Sequence, residues 1–266
     1  MKSRRYKALA LVLYAVLFLS ASGFLLRLLE YRQAASEYAQ IAKEMTATEP
    51  MAPLDTPVPQ ASPAPSGQIR TAAPTSTPAV YINKQMRDLH MQNSDTVGYL
   101  EIEGTAISYP VVRGRDNSYY TNHTFKKKKN AAGAIFLDST NAASLTDFNL
   151  VLYGHNMKDG SMFHELMQYR KTSFTGDHRH IVLTGLHEKK TFYVFSAYTA
   201  SKNTEIRGFK YSTAQEKQTF LNVLVNRSDI SAGSAILTSN SQIVTLVTCR
   251  DNSEKDYFVV HGVLVE

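Results

Sequence analysis

The stretch TLVTCRDNSEKDYFVVHGVLVE, residues 245–266, contains two apolar runs separated by a polar loop. The first run starts upstream at Gln242 and ends at Cys249, and the second covers residues 258–265. Short runs rich in Val, Leu and Phe, with turn residues between them, are typical of β-strands. The stretch therefore predicts two strands joined by the loop 250–257, with Cys249 at the boundary between strand and loop.

Six further runs of the same kind precede this stretch, and turn residues separate them. They are VGYLEI (97–102), ISYPVV (107–112), GAIFLD (133–138), FNLVLYG (148–154), HIVLTG (180–185) and KTFYVFSAY (190–198). Helical spacing predicts helices over 82–92 and over 212–225, the second capped by Thr213 with Glu216 three residues on. Eight strands with few helices predict a mainly β fold with helices, an α+β protein whose sheet is a closed or nearly closed barrel.

The N-terminus predicts a membrane anchor. Residues 8–26 carry no charge, and this length is close to the roughly 20 residues that a spanning helix needs. Basic residues at positions 2, 4, 5 and 7 place the N-terminus in the cytoplasm and the rest of the chain outside. A cleaved signal peptide with a small-residue site at 20–22 is the alternative, although the apolar run resumes at Phe24. Both alternatives export the remainder.

The sequence divides into three segments. Residues 1–27 form the predicted cytoplasmic tail and signal-anchor. Residues 28–79 form a helical stem followed by a linker, and eight of the nine prolines lie between positions 50 and 78 of it. Such a composition favours extended conformers and predicts a semi-stiff spacer between membrane and domain. Residues 80–266 form the predicted globular domain.

Composition and motifs exclude several classes of function. The net charge of +6 arises partly from the N-terminal tail, and the lysines at 126–129 are those of a solvated loop, so no nucleic-acid partner is expected. A single cysteine excludes an intramolecular disulfide framework. No spacing typical of a metal site and no Gly-rich phosphate loop is found, so we expect neither a metal nor a cofactor.

Cys249 could be an inert filler or a nucleophile. Its place at a strand end favours presentation at a surface, whereas a structural cysteine is usually buried in an apolar run. A nucleophilic thiol needs a base or a nearby cation. Of the eight histidines, His155 is the best candidate, because it ends the run NLVLYGH and follows Gly154, which allows the backbone to bend. A papain-like hydrolase is disfavoured, since its cysteine precedes its histidine.

Four stretches in order resemble the class B sortases, membrane-anchored cysteine transpeptidases of Gram-positive bacteria. They are DTVGYLEIEGTAISYPVVRGRDNSYYTNHTF, GAIFLD, LVLYGHNMKDGSMFHEL and TLVTC followed by FVVHGVL. The resemblance implies an eight-stranded sortase barrel with N-terminal helices and one helix before the last two strands. It implies cleavage of an NPxTx-like C-terminal sorting signal after its threonine, through a thioacyl-enzyme. The acceptor would be an amine of a cell-wall precursor or a lysine, and the partner a surface or pilin protein.

The resemblance makes Cys249 the nucleophile and His155 its acid or base. The neighbouring residues Tyr153 and Thr248 are the predicted substrate-binding residues. The family's arginine, expected just before the last strand, is replaced by Tyr257. Arg250 or the hydroxyl of Tyr257 could take over its role, with Arg113 and Arg207 as further candidates. The remaining alternative is a weakly active or inactive sortase-like protein that binds surface proteins or assists their assembly.

Overall fold

Eight strands close into one barrel in the part of the chain that the structure describes. This computed structural model describes residues 2–46, 82–231, 233, 236–249 and 256–266, with the backbone alone for 2–10, 12 and 249. The barrel order is β1-β2-β3-β4-β7-β8-β6-β5, which confirms the predicted fold class. The strands are β1 (Thr96–Ile102), β2 (Ser108–Val112), β3 (Ile135–Leu137), β4 (Asn149–Tyr153), β5 (His180–Gly185), β6 (Lys189–Ser201), β7 (Ile243–Cys249) and β8 (Asp256–Leu264).

Helices surround the barrel. They are α1 (Lys2–Thr46), α2 (Lys84–Gln92), α3 (Thr172–Asp177) and α4 (Ala214–Asn226), with 3-10 helices at Tyr119–Thr121 and His164–Arg170. The predicted cap of α4 is confirmed, because Thr213 Oγ1 accepts from Glu216 N at 3.2 Å and Glu216 Oε2 accepts from Thr213 N at 3.0 Å. Helix α2 begins two residues later than predicted, since the side chain of Asn83 caps it by accepting from Met86 N.

Two apolar clusters hold these elements together. The first fills the barrel and includes Leu100, Leu152 and Phe192, all fully buried. The second lies between the barrel wall and α4, where Phe220, Leu221 and Leu224 pack. Burial of such side chains stabilises a fold by roughly 1.5–3 kcal/mol each. The α4 cluster matters for the site, because the loop that precedes α4 packs into it.

The C-terminal third of α1 packs on the barrel. Ala34, Tyr38 and Ile41 are buried, and their spacing places them on one helix face. Tyr38 Oη donates to Gly133 O at 2.6 Å and accepts from Phe125 N at 3.2 Å. Helix α1 thus contacts the barrel before the Pro-rich stretch begins in the chain, and that stretch lies outside the described residues.

The N-terminal part of α1 presents large apolar side chains to its surroundings. Leu11, Phe18 and Leu19 are each about 70% exposed or more. Among the described residues, α1 is the one helix long and apolar enough to cross a membrane. It is thus compatible with the predicted anchor.

Candidate active site

The parallel pair β4 and β7 brings the predicted residues to one edge of the barrel. Asn149 pairs with Ile243 at the start of the two strands, and Tyr153 pairs with Val247 near their end. Gly154 N then donates to Val247 O at 3.1 Å. His155 and Cys249 each lie two residues beyond the Tyr153–Val247 pair. Because neighbouring strands lie about 4.8 Å apart, the two positions leave the sheet side by side.

Gly154 is required by packing rather than by a backbone bend. A Cβ there would lie 2.4 Å from Ile135 Cδ1 and 2.7 Å from Phe163 Cδ2. Real Cβ atoms do not approach other atoms so closely, so any larger residue would push the chain outward. The glycine that the sequence linked to a bend thus lets the segment before His155 lie against β3 and Phe163.

One ring nitrogen of His155 is already engaged. Its Nε2 lies 2.7 Å from Thr121 O, in the 3-10 helix Tyr119–Thr121. A carbonyl oxygen can only accept, so Nε2 carries the proton. The neutral ring therefore has its lone pair on Nδ1, and Nδ1 is the atom that can exchange a proton. Phe163 N donates to His155 O at 2.8 Å and so also holds the main chain at this position.

A cleft of about 290 Å³ opens beside His155. Its walls come from β3, β4, β7 and β8, from the 3-10 helix Tyr119–Thr121 and its approach, and from the loop between β6 and α4. The lining residues are Asn117, Thr121, Phe136, Tyr153, Gly154, His155, Arg207, Val247, Thr248 and Tyr257. The cleft therefore brings together His155, Tyr153, Thr248 and Tyr257 of the sequence predictions.

Tyr153 forms part of a polar pair that the sequence did not predict. Its hydroxyl donates to Asp138 Oδ2 at 3.0 Å, and its ring stacks on Phe136 with centroids 5.3 Å apart. Asp138 is fully buried. Burial and the Asp138 carboxylate raise the pKa of Tyr153, and Arg207 partly opposes this. The hydroxyl is therefore neutral at physiological pH, and its oxygen can still accept a hydrogen bond from a ligand.

Tyr257 lies beside the predicted nucleophile in the sheet. It pairs in register with Cys249 on one side and with Ala200 on the other. Its side chain is half-buried, and Lys202 Nζ lies 5.4 Å from the centroid of its ring. Thr248, also in the cleft wall, is buried, and its hydroxyl has no partner among the described residues.

The arginines that could replace the family's arginine lie in different places. Arg250 lies outside the described residues. Arg113 donates through Nε to Asn141 O and through Nη2 to Ser139 O, both at 2.6 Å, so it ties two loop carbonyls to β2. Arg207 lines the cleft, which its sequence context did not indicate. No local pattern identifies such a residue, because its position depends on how the β6–α4 loop packs.

Known proteins place the chain in a family. The sortase domain family matches residues 100–265, more than half of the chain. The chain is 32% identical over 188 residues to sortase B of Listeria monocytogenes serovar 1/2a (strain ATCC BAA-679 / EGD-e), covering 69% of this chain and 75% of that protein. It is 34% identical over 172 residues to sortase B of Staphylococcus aureus (strain NCTC 8325 / PS 47), covering 64% and 70%.

Solved structures agree. A crystal structure of sortase B from B. anthracis in complex with AAEK1 matches with a TM-score of 0.71 and 28% identity, covering 90% of this chain and 99% of that one. A Staphylococcus aureus sortase B-substrate complex matches with a TM-score of 0.66 and 32% identity, covering 70% and 87%. The chain therefore belongs to the sortase family, and within it to the class B sortases.

Proposed function

We propose that the chain is a cysteine transpeptidase that cleaves an NPxTx-like sorting signal after its threonine and joins the protein to an amine. Membership of the sortase family supports the coarser activity, a transpeptidase that anchors surface proteins. The observation that carries the residue roles is the register of β4 and β7, which brings positions 155 and 249 out at one edge beside one cleft.

In the acylation step, the Cys249 thiolate attacks the carbonyl carbon of the threonine and forms a C–S bond. The C–N bond of the following peptide link then breaks. Protonated His155 gives its Nδ1 proton to the leaving nitrogen, while Nε2–H stays on Thr121 O and fixes the ring. The products are a thioacyl-enzyme and the released C-terminal fragment.

In the transfer step, an amine of a cell-wall precursor or of a pilin lysine attacks the thioester carbon. Neutral His155 takes a proton from the attacking nitrogen at Nδ1, and the C–S bond breaks to return the thiolate. Tyr153 and Thr248 lie in the same cleft wall and are proposed to contact the sorting signal. Neither step requires a cofactor.

The test is turnover of fluorogenic NPxTx peptides by the full chain in a mild detergent, with and without an amine acceptor. Cys249→Ala should abolish cleavage. His155→Ala should lower kcat by about 10²–10⁴-fold, as expected for loss of an acid–base group. His180→Ala, an exposed histidine outside the cleft, is the matched control. Absence of turnover across several signal sequences, or equal turnover by Cys249→Ala, would refute the proposal.

Tyr257 favours a second candidate, a sortase scaffold that binds surface proteins without turning them over. A tyrosine stands where the resemblance expects an arginine, so a charged donor is missing from that position. This candidate predicts that sorting-signal peptides bind without a covalent intermediate. Mass spectrometry of a trapped Cys249 adduct decides between the two, since an adduct excludes the binding-only function.

We also propose that α1 is a single-pass anchor with its basic N-terminus in the cytoplasm and the barrel outside the cell. The exposed apolar surface of its N-terminal part supports the membrane contact. Leu26, the end of the charge-free run, and Ala34, the first buried residue among the described side chains of α1, are eight positions apart. At about 1.5 Å per residue this is about 12 Å, so the anchor holds the barrel close to the bilayer.

A further inference from the structure

Arg207 lies at the rim of the cleft, in the loop between β6 and α4. Its side chain is exposed. Tyr153, His155 and Tyr257 line the same cleft. Among the described lining residues, Arg207 alone carries a permanent positive charge. Guanidinium groups present several N–H donors and no acceptor, so they suit carbonyl and carboxylate oxygens.

The barrel wall that faces α4 holds the main chain under Arg207. Asn149, which is almost fully buried in β4, donates through Nδ2 to Ile206 O at 3.1 Å and to Arg207 O at 2.8 Å. Asn149 Oδ1 in turn accepts from Thr245 Oγ1 at 2.8 Å. Thr245 Oγ1 also lies 2.9 Å from His261 Nδ1. A chain of buried polar groups thus fastens the loop to three strands of the barrel.

Contacts within the loop and with α4 also hold the loop in place. Glu205 Oε1 accepts from Arg207 N at 2.9 Å and from Gly208 N at 3.0 Å. Gly208 has φ +68°, and a Cβ there would lie 2.7 Å from the ring of Phe220 in α4. Ile206 is buried in the α4 cluster. The loop therefore has one specified conformation, which directs Arg207 to the rim of the cleft.

Arg113 and Lys202 do not line the cleft. Arg113 is held by two loop carbonyls. Lys202 Nζ lies over the ring of Tyr257, at 5.4 Å from its centroid. Tyr257 itself offers one neutral hydroxyl, which is a weaker donor than a guanidinium.

We propose that Arg207 donates hydrogen bonds to carbonyl oxygens of the bound sorting signal, and so provides from the β6–α4 loop the positive donor that the residue at position 257 does not. The assignment rests on the proposed transpeptidase function. A guanidinium also stabilises the negative charge that develops on such an oxygen during the attack by Cys249. Arg207 therefore contributes both to binding and to that step.

The test compares Arg207→Ala and Arg207→Lys with the wild type, using the full chain in detergent and a fluorogenic NPxTx peptide. Loss of an oxyanion-type donor typically costs about 10²–10³-fold, so Arg207→Ala should lower kcat/KM by about 10²-fold. Arg207→Lys should fall between, since it keeps the charge and loses the planar fork. Arg87→Ala removes an exposed arginine of α2 outside the cleft and should match the wild type.

Binding to chains that carry Cys249→Ala supplies a second readout that does not need turnover. Adding Arg207→Ala should weaken the affinity for the peptide by about tenfold or more, the loss expected for a hydrogen bond to a charged group. The rate of Cys249 alkylation by iodoacetamide should not change, because Arg207 acts on the substrate rather than on the thiol.

The outcomes separate the two proposals. A wild type that binds the peptide without cleaving it counts against transpeptidation, and Arg207 is still tested by binding. Equal kcat/KM and equal binding for Arg207→Ala would overturn the role of Arg207 and leave the transpeptidase intact. A slower alkylation in Arg207→Ala would also overturn it, and a chain that neither binds nor cleaves any signal peptide would overturn both.

Discussion

Acid should destabilise the barrel through His261, which lies fully buried in β8. The hydroxyl of Thr245 donates to Asn149 Oδ1, so its oxygen accepts from His261 Nδ1–H at 2.9 Å. His261 Nε2 has no partner among the described residues, and the rings of Tyr198 and Phe195 lie beside it. The folded state thus holds a neutral imidazole in a site that opposes its protonation.

Burial lowers the pKa of His261 to about 3, against about 6.5 in an unfolded chain. Above pH 6.5 both states are neutral and the group has no effect. Between pH 6.5 and about 3 the unfolded chain binds a proton that the folded chain does not, so the free energy of unfolding falls as the pH falls. The slope is about 1.36 kcal/mol per pH unit, which gives about 2 kcal/mol at pH 5.

The assay is urea unfolding of the full chain in detergent at pH 7 and pH 5. With 15 tyrosines and no tryptophan, the chain reports unfolding by tyrosine fluorescence. His261→Gln keeps a donor for Thr245 and removes the titration. Its loss of stability between the two pH values should be about 2 kcal/mol smaller than that of the wild type, and other titrating groups cancel in this difference. If the free energy of unfolding of His261→Gln falls as much from pH 7 to pH 5 as that of the wild type, the reasoning is refuted.

Two further substitutions test the packing around the site and the anchor. Tyr38→Phe leaves Gly133 O without its donor, so the free energy of unfolding should fall by about 1–3 kcal/mol in urea titrations, and an unchanged midpoint would contradict the docking of α1. Gly154→Ala places a Cβ against Ile135, so the free energy of unfolding should fall by about 1–3 kcal/mol and turnover should be lost. The control Gly176→Ala has open space at its Cβ and should change neither stability nor turnover. Equal behaviour of the two variants would count against the close packing before His155.

The local elements could be predicted from the sequence because their signals are local. Each of the eight strands coincides with or overlaps one of the apolar runs, and β1, β6 and β8 extend beyond theirs. The cap of α4 follows from Thr213 and Glu216 at a fixed spacing. His261 lies within the apolar run 258–265, and the structure shows it packed in β8 and hydrogen-bonded to Thr245.

The pairing of the strands could not be predicted from local patterns. That β4 and β7 are parallel neighbours depends on contacts between segments far apart in the chain. The packing of α1 had a visible signal, the spacing of Ala34, Tyr38 and Ile41, but the same residues also suit a free stem helix. Only the partner surface near Gly133 distinguishes the two.

The missing arginine illustrates the same limit within the site. Position 257 aligns with the family's arginine, and closeness in the sequence favours Arg250 as its substitute. The residues that line a cleft, however, can be distant from one another in the sequence. Arg207 lies at the cleft because Asn149 donates to the carbonyls of Ile206 and Arg207, and because Phe220 packs against Gly208. The buried hydrogen-bond network of His261, Thr245 and Asn149 fastens this loop. The residues that stabilise the barrel therefore also position Arg207. A substitution deep in β4 or β8 can therefore change the chemistry at the rim without touching a cleft residue.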